Sequence, residues 1–172
     1  MNDDLKQLIR DVPGFPKPGI LFRDLTPLLE EPRLFRQAID RLAVEYSGDG
    51  VQKVAAIESR GFLFGAPLAY ALGAGLCILR KPGKLPRKSA RETYALEYGT
   101  DALELHEDAL AIGENVLVVD DLLATGGTAA AAGRLVQKLG ATLVGYSFVV
   151  ELSDLGGRAK LAHDRVNALI RY

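Results

Sequence analysis

The sequence predicts an α/β fold, a single doubly wound domain built around a parallel sheet. Three observations predict it. Strand-like and helix-like segments alternate through the middle of the chain, as in folds that cover a parallel sheet with helices. A buried-strand pattern at Val116–Val119 runs into two carboxylates, a Thr-Gly-Gly-Thr turn and an Ala-rich helix. Finally, 172 residues at 48% hydrophobic and 25% charged suit one compact core without a linker or internal repeat.

Taken in order, Leu5, Leu8, Ile9 and Val12 keep helical spacing near the start. Phe15 to Pro32 is expected to be irregular, with prolines at 13, 16, 18, 27 and 32 in or just before it. A helix is predicted after Pro32, with Leu34, Phe35, Ala38, Ile39 and Leu42 on one face. Val54–Ile57 reads as a short buried strand, followed by the turn Glu58-Ser59-Arg60-Gly61 and a helix to about Leu72. Leu76–Leu79 is the next strand; a basic loop follows, and Glu92–Tyr98 with Ala102–His106 suggest a hairpin joined through Gly99-Thr100. The strand from Val116, a helix over Ala129–Leu139 and a strand at Leu143–Val150 come next, and Val166–Ile170 is either a last strand or a short helix. The appendages to the domain are Phe15–Leu29 and Lys81–Tyr98.

Composition narrows the function classes. A net charge of −1 argues against general nucleic-acid or membrane-surface binding. Cys77 is the single cysteine, so no intramolecular disulfide is possible; its apolar surroundings predict a core residue in a reducing, cytoplasmic setting. Met1-Asn2-Asp3-Asp4 lacks a basic, apolar leader, and no run reaches the ~20 apolar residues of a membrane span. Neither G-x-x-x-x-G-K-[ST] nor G-x-G-x-x-G after a strand occurs, which removes P-loop hydrolases and dinucleotide Rossmann domains. His106 and His163 share no metal-ligand spacing and read as surface or structural, and Glu104, Glu107 and Asp108 as a solvated acidic stretch.

The chemistry concentrates in a few segments. In Ala124-Thr125-Gly126-Gly127-Thr128 the glycines let backbone N–H groups converge, and the helix start adds its positive dipole end, so a phosphate can sit there. Asp120 and Asp121 beside it can accept hydrogen bonds from vicinal sugar hydroxyls. One Asp before a helix usually caps it; two acids, two hydroxyls and two glycines on one connection exceed what capping needs. Glu58-Ser59-Arg60-Gly61 repeats the strand–turn–helix setting, with a hydroxyl and a guanidinium fork suited to phosphate oxygens. Six basic residues, Arg80, Lys81, Lys84, Arg87, Lys88 and Arg91, cluster in a Pro- and Gly-containing stretch suited to a mobile lid over an anionic leaving group. Phe22 is the kind of side chain that stacks on a purine.

The strand-to-helix segment resembles the diphosphate-sugar signature of the type I phosphoribosyltransferase family. With Phe15–Leu29, Glu58–Phe62, Arg80–Pro86 and Tyr94-Ala95-Leu96-Glu97-Tyr98-Gly99, the chain is similar to the adenine-using branch of that family over Phe15–Thr128. The resemblance implies an N-terminal hood (about 15–32), a flexible catalytic lid (about 81–98) and one domain over residues 1–172. It implies transfer of a 5-phosphoribosyl group from its 1-diphosphate to adenine, giving AMP and diphosphate, with Mg²⁺ held by substrate oxygens rather than by a protein cage. Leu21, Phe22 and Arg23 would form the base pocket. Ser59, Arg60, Arg80, Lys81 and Lys84 would hold the diphosphate, Asp120 and Asp121 the ribose, and Ala124, Thr125, Gly126, Gly127 and Thr128 the 5-phosphate. Glu97 would exchange a proton with the purine and Tyr98 would help bind substrate; Arg60, Lys81 and Glu97 would carry the catalysis. A homodimer is usual in the family. Two alternatives share these motifs, a relative using another purine base and a non-catalytic sensor of the sugar diphosphate. The hood and Glu97 speak against the first, and the lack of a basic face or added helix-turn-helix against the second.

Overall fold

A computed structural model describes residues 3–95, 99–161, 163 and 165–172. The N-terminal part comprises α1 (Asp3–Gln7), β1 (Arg10–Pro13), β2 (Leu21–Asp24) and α2 (Thr26–Glu30). The central part runs α3 (Pro32–Tyr46), β3 (Lys53–Ile57), α4 (Gly61–Leu72), β4 (Gly75–Leu79), β5 (Ser89–Ala95) and β6 (Thr100–His106). It closes with β7 (Asn115–Leu123), α5 (Gly127–Lys138), β8 (Thr142–Glu151), two 3₁₀ turns (Ser153–Leu155 and Gly157–Lys160) and β9 (Val166–Arg171).

Five strands form a parallel sheet in the order β4-β3-β7-β8-β9. The period-2 alternation of the strands sorts their side chains into two cores. Ala55, Ile57, Val116 and Val118 pack with α5 and with Tyr94, Leu103 and Leu105 of the β5–β6 hairpin. Val54, Leu117 and Val119 pack against α3 and α4, through Leu42, Phe64 and Leu68 among others. From β3 the chain moves outward to β4 and then returns to place β7 on the other side of β3. This reversal of winding opens a crevice at the carboxyl ends of β3 and β7, where open α/β sheets bind ligands.

Several elements differ from the expected ones. The first helix ends at Gln7, and Val12 belongs to β1. The stretch expected to be irregular carries β2 and α2, because the chain closes a hairpin on β1 with Gly14 N donating to Ile20 O. Asp24 then accepts from Thr26 N at 3.0 Å, satisfying a free amide at the start of α2. The hairpin strand β5 begins at Ser89 rather than Glu92, so Ser89–Ala95 of the lid segment is a strand packed on α5, tied there by Arg134–Glu92 at 2.6 Å and by Lys138 Nζ donating to Arg91 O. The closing segment is a strand. Cys77 is buried as expected, and burial pushes its thiol up to about 12.

Candidate active site

Two connections meet at the crevice. On β7, pairing with β3 stops at Val119 while pairing with β8 continues to Leu123. The acids at 120 and 121 therefore lie within the strand, on a part that has outrun its neighbour, and not beyond its end. Successive strand residues face opposite ways. Asp120 lines a small concavity of about 80 Å³ with Ala124–Thr128. Asp121, 3% exposed, lines an apolar cavity on the other side. Burial and the neighbouring Asp121 charge push Asp120 well above the usual carboxylate range; burial also raises Asp121, against the opposing pull of Arg60, whose Nε stands 2.8 Å from Asp121 Oδ2.

The concavity is built from backbone. Gly126 adopts a left-handed conformation (φ 79°) at the N-cap of α5, and a Cβ there would collide with Gly157. The first-turn N–H groups of α5, with the positive end of its dipole, face an anion placed against the loop. Gly157 supports the loop from beneath and is in turn held by Arg158, which pairs with Glu151 at 2.5 Å and donates to Val166 O at 2.6 Å. Sequence reasoning passed over this support; the Gly156-Gly157 pair was the signal available for it.

At the end of β3 stands Glu58, joined to Ser59 by a cis peptide. Its carboxylate accepts Lys81 N at 2.8 Å and Arg80 Nε at 3.3 Å, and pairs with Lys84 Nζ. Burial works to raise this acid, but hydrogen bonds from Lys84, Lys81 and Arg80 outweigh it and hold it at about 2. Arg80, Lys84, the exposed Ser59 and Arg60 are thus gathered beside the acid pair on β7. Gly61 makes that approach possible, since a Cβ there would come within 2.9 Å of Asp120 Oδ1. The Lys81 ammonium is turned elsewhere: it receives its partners from the hairpin, Tyr94 OH at 2.8 Å and the Asp101 carboxylate. Nor is the acidic stretch merely solvated. Glu104 accepts Gly83 N at 3.0 Å, Asp108 pairs with Arg87 and Glu107 with Lys88, which occupies the outer half of the basic cluster.

The apolar cavity, about 410 Å³, is walled by Val12, Phe15, Phe22, Leu25, Leu29, Leu63 and Phe64, with Asp24, Thr26, Arg60 and Asp121 as its polar members. Phe15 and Phe22 meet edge to face at 5.1 Å, and the Arg60 guanidinium stands 5.2 Å from the Phe22 ring. Such a slot suits a flat heterocycle. Larger grooves run along α3; neither touches the acids or the phosphate-type loop, and convergent chemistry decides over volume. Of the three expected base-pocket residues, Phe22 alone points its side chain into the cavity. Leu21 is 44% exposed, and Arg23 pairs with Asp11 and covers the Tyr172 ring. Their backbones are placed differently. Gly14–Ile20 bonding and the 12↔22 register make residues 21 and 23 the outward-facing members of the ladder, with N–H and C=O turned away from β1. Leu96, Glu97 and Tyr98 lie outside the described residues.

The model of the phosphoribosyl transferase domain family matches residues 28–165. The chain is 59% identical over all 172 residues, with full coverage of both chains, to an adenine phosphoribosyltransferase of Anaeromyxobacter dehalogenans. It superposes with a TM-score of 0.97 and 48% identity on the crystal structure of adenine phosphoribosyltransferase from Thermoanaerobacter pseudethanolicus, again over the whole of both chains. The Saccharomyces cerevisiae adenine phosphoribosyltransferase, solved with an imino-altritol bisphosphate and adenine, aligns at a TM-score of 0.92 and 45% identity, over 98% of this chain and 97% of that one.

Proposed function

We infer that this chain, which belongs to the adenine phosphoribosyltransferases within the phosphoribosyltransferase family, acts in purine salvage. It transfers the 5-phosphoribosyl group of 5-phosphoribosyl 1-diphosphate to adenine, forming AMP and diphosphate. One observation supports the reading above all: the switch between β3 and β7 sets an apolar slot and a backbone anion cradle on opposite faces of one acid pair.

In this reading adenine enters the slot against Phe22, and the outward backbone groups of Leu21 and Arg23 read its edge. The 5-phosphate takes the Ala124–Thr128 loop, and Asp120 and Asp121 accept from the ribose hydroxyls. Ser59, Arg60, Arg80 and Lys84 face the diphosphate. Lys81 joins them by leaving Asp101 and Tyr94. A ring nitrogen of adenine bonds to C1 of the sugar as the C1–O bond to diphosphate breaks, through an oxocarbenium-like state. The electron pair departs with diphosphate, and Glu97 takes the proton the purine must lose. Holding nucleophile and leaving group in line supplies much of the rate.

Mg²⁺ fits the donor set. Among the described residues no cluster of three acidic, histidine or cysteine side chains forms a cage, whereas Asp120 and Asp121 offer hard oxygens to its waters and substrate oxygens supply the ligands. When bound it neutralises the leaving diphosphate. The reading includes a cytoplasmic homodimer. Among the described residues no helix is long and apolar enough to cross a membrane.

The test is AMP formation from adenine, the sugar diphosphate and Mg²⁺, with hypoxanthine, guanine, xanthine and uracil alongside. Turnover with adenine alone is expected. Turnover with a different base would overturn the assignment of the slot.

A further inference from the structure

The hood hairpin has little buried surface of its own. Burial within β1 and β2 is slight, and the buried anchors Ile9 and Leu25 lie just outside the strands. Something else must fix its position over the crevice. The outer face of β2 carries Arg23, whose guanidinium lies 3.7 Å from the centroid of the Tyr172 ring while pairing with Asp11 across the hairpin. Lys6 Nζ approaches the same ring to 4.4 Å and donates to Arg171 O at 3.4 Å.

Tyr172 is itself held firmly to the sheet domain. Its N–H donates to Glu151 O at 3.0 Å, and its carbonyl accepts Ser153 N at 2.9 Å. The ring also packs against the core on the α3–α4 side of the sheet. It thus meets one cation from α1 and one from β2, while its backbone is fixed to the end of β8. Arg23 is 16% exposed in its side chain, and desolvation strengthens a cation over an aromatic face.

From this geometry we infer that Tyr172 is a positioning residue for the base slot. It acts through Arg23 to set the height and tilt of β2, and with them the outward backbone groups at 21 and 23 and the Phe22 ring on the opposite face. The inference rests on the assignment of the slot to adenine. Tyr172 lines neither the slot nor the Ala124–Thr128 concavity, and its ring meets the hood through Arg23, so removing the ring is expected to act on the base.

Steady-state kinetics of Tyr172→Leu, Tyr172→Phe and Phe22→Leu, with each substrate varied in turn, test this. For Tyr172→Leu the KM for adenine is expected to rise about 5–20-fold, with the KM for the sugar diphosphate within about twofold of the parent. Tyr172→Phe keeps the aromatic face and is expected to restore the adenine KM. The inference is overturned if Tyr172→Leu leaves the adenine KM unchanged, if both KM values rise together, or if the Phe variant behaves as the Leu variant does. Phe22→Leu separates the two levels. If it raises the adenine KM and Tyr172→Leu does not, only the positioning role falls; if Phe22→Leu also leaves adenine unaffected, the slot assignment falls with it.

Discussion

A Cβ on Gly157 would overlap the carbonyl oxygen of Ala124 and come within 2.9 Å of the Gly126 nitrogen. The Ala124–Thr128 loop is therefore seated directly on a glycine far downstream of its own turn. Gly157→Ala must push the cradle or the 3₁₀ turn aside, at a cost of about 1–3 kcal/mol. The expected result is a lower Tm and a raised KM for the sugar diphosphate, with the adenine KM unchanged. Thermal denaturation and two-substrate kinetics on one preparation would show it; an unchanged diphosphate-sugar KM would mean the seat is not needed.

Glu58 organises Arg80, Lys84 and the Lys81 amide through one carboxylate. Glu58→Gln keeps the shape and loses the charge-assisted bonds, worth roughly 1.5–3 kcal/mol. A fall of about 10–100-fold in kcat/KM for the sugar diphosphate is expected. The folded carboxyl titrates at about 2 instead of its ordinary 4.5. A depressed acid stabilises the fold above its unfolded pKa and loses that effect as pH falls toward the folded one. The stability gap between parent and variant is thus full above pH 4.5 and closes toward pH 2. Denaturant midpoints across that window would reveal a gap that fails to close.

Asp120 carries the opposite sign. Burial and the Asp121 charge raise it, so the fold disfavours its ionisation relative to the unfolded chain. Asp120→Asn is expected to raise Tm by roughly 2–4 °C at pH 7. The gain disappears below the unfolded carboxyl's pKa, near 3.9, where both states are protonated. The same variant should weaken binding of the sugar diphosphate about tenfold, a trade of stability against function. A variant less stable than the parent at pH 7 would contradict this account of the acid pair.

Glu97→Gln addresses the proton. Removing a general base costs about 10²–10⁴ in kcat, while affinity for the sugar diphosphate should hardly change. Single-turnover AMP formation, with binding of the sugar diphosphate measured separately, checks it. An unaltered kcat would take Glu97 out of the mechanism.

The alternation of strands and helices, the buried strand before Asp120 and the phosphate-type turn after it were legible in the sequence, because each is set by local periodicity and turn chemistry. Phe22 in the apolar cavity and Ala124–Thr128 around the small concavity could be named from short motifs for the same reason, whereas Leu21 and Arg23 turn their side chains elsewhere. What the sequence did not disclose lies in contacts between distant segments. The hood reads as irregular because its prolines mask a hairpin that only cross-strand pairing creates. Gly157 under Ala124, Glu104 on Gly83 N, Arg23 on Tyr172 and Lys81 on Asp101 join residues that share no local pattern. By itself the sequence determined the fold class and which candidate site residues stand at the two strand ends. The tertiary structure decided which face each acid serves, which cations are already paired and what holds the hood, because winding order and packing, not local preference, bring those groups within reach of one another.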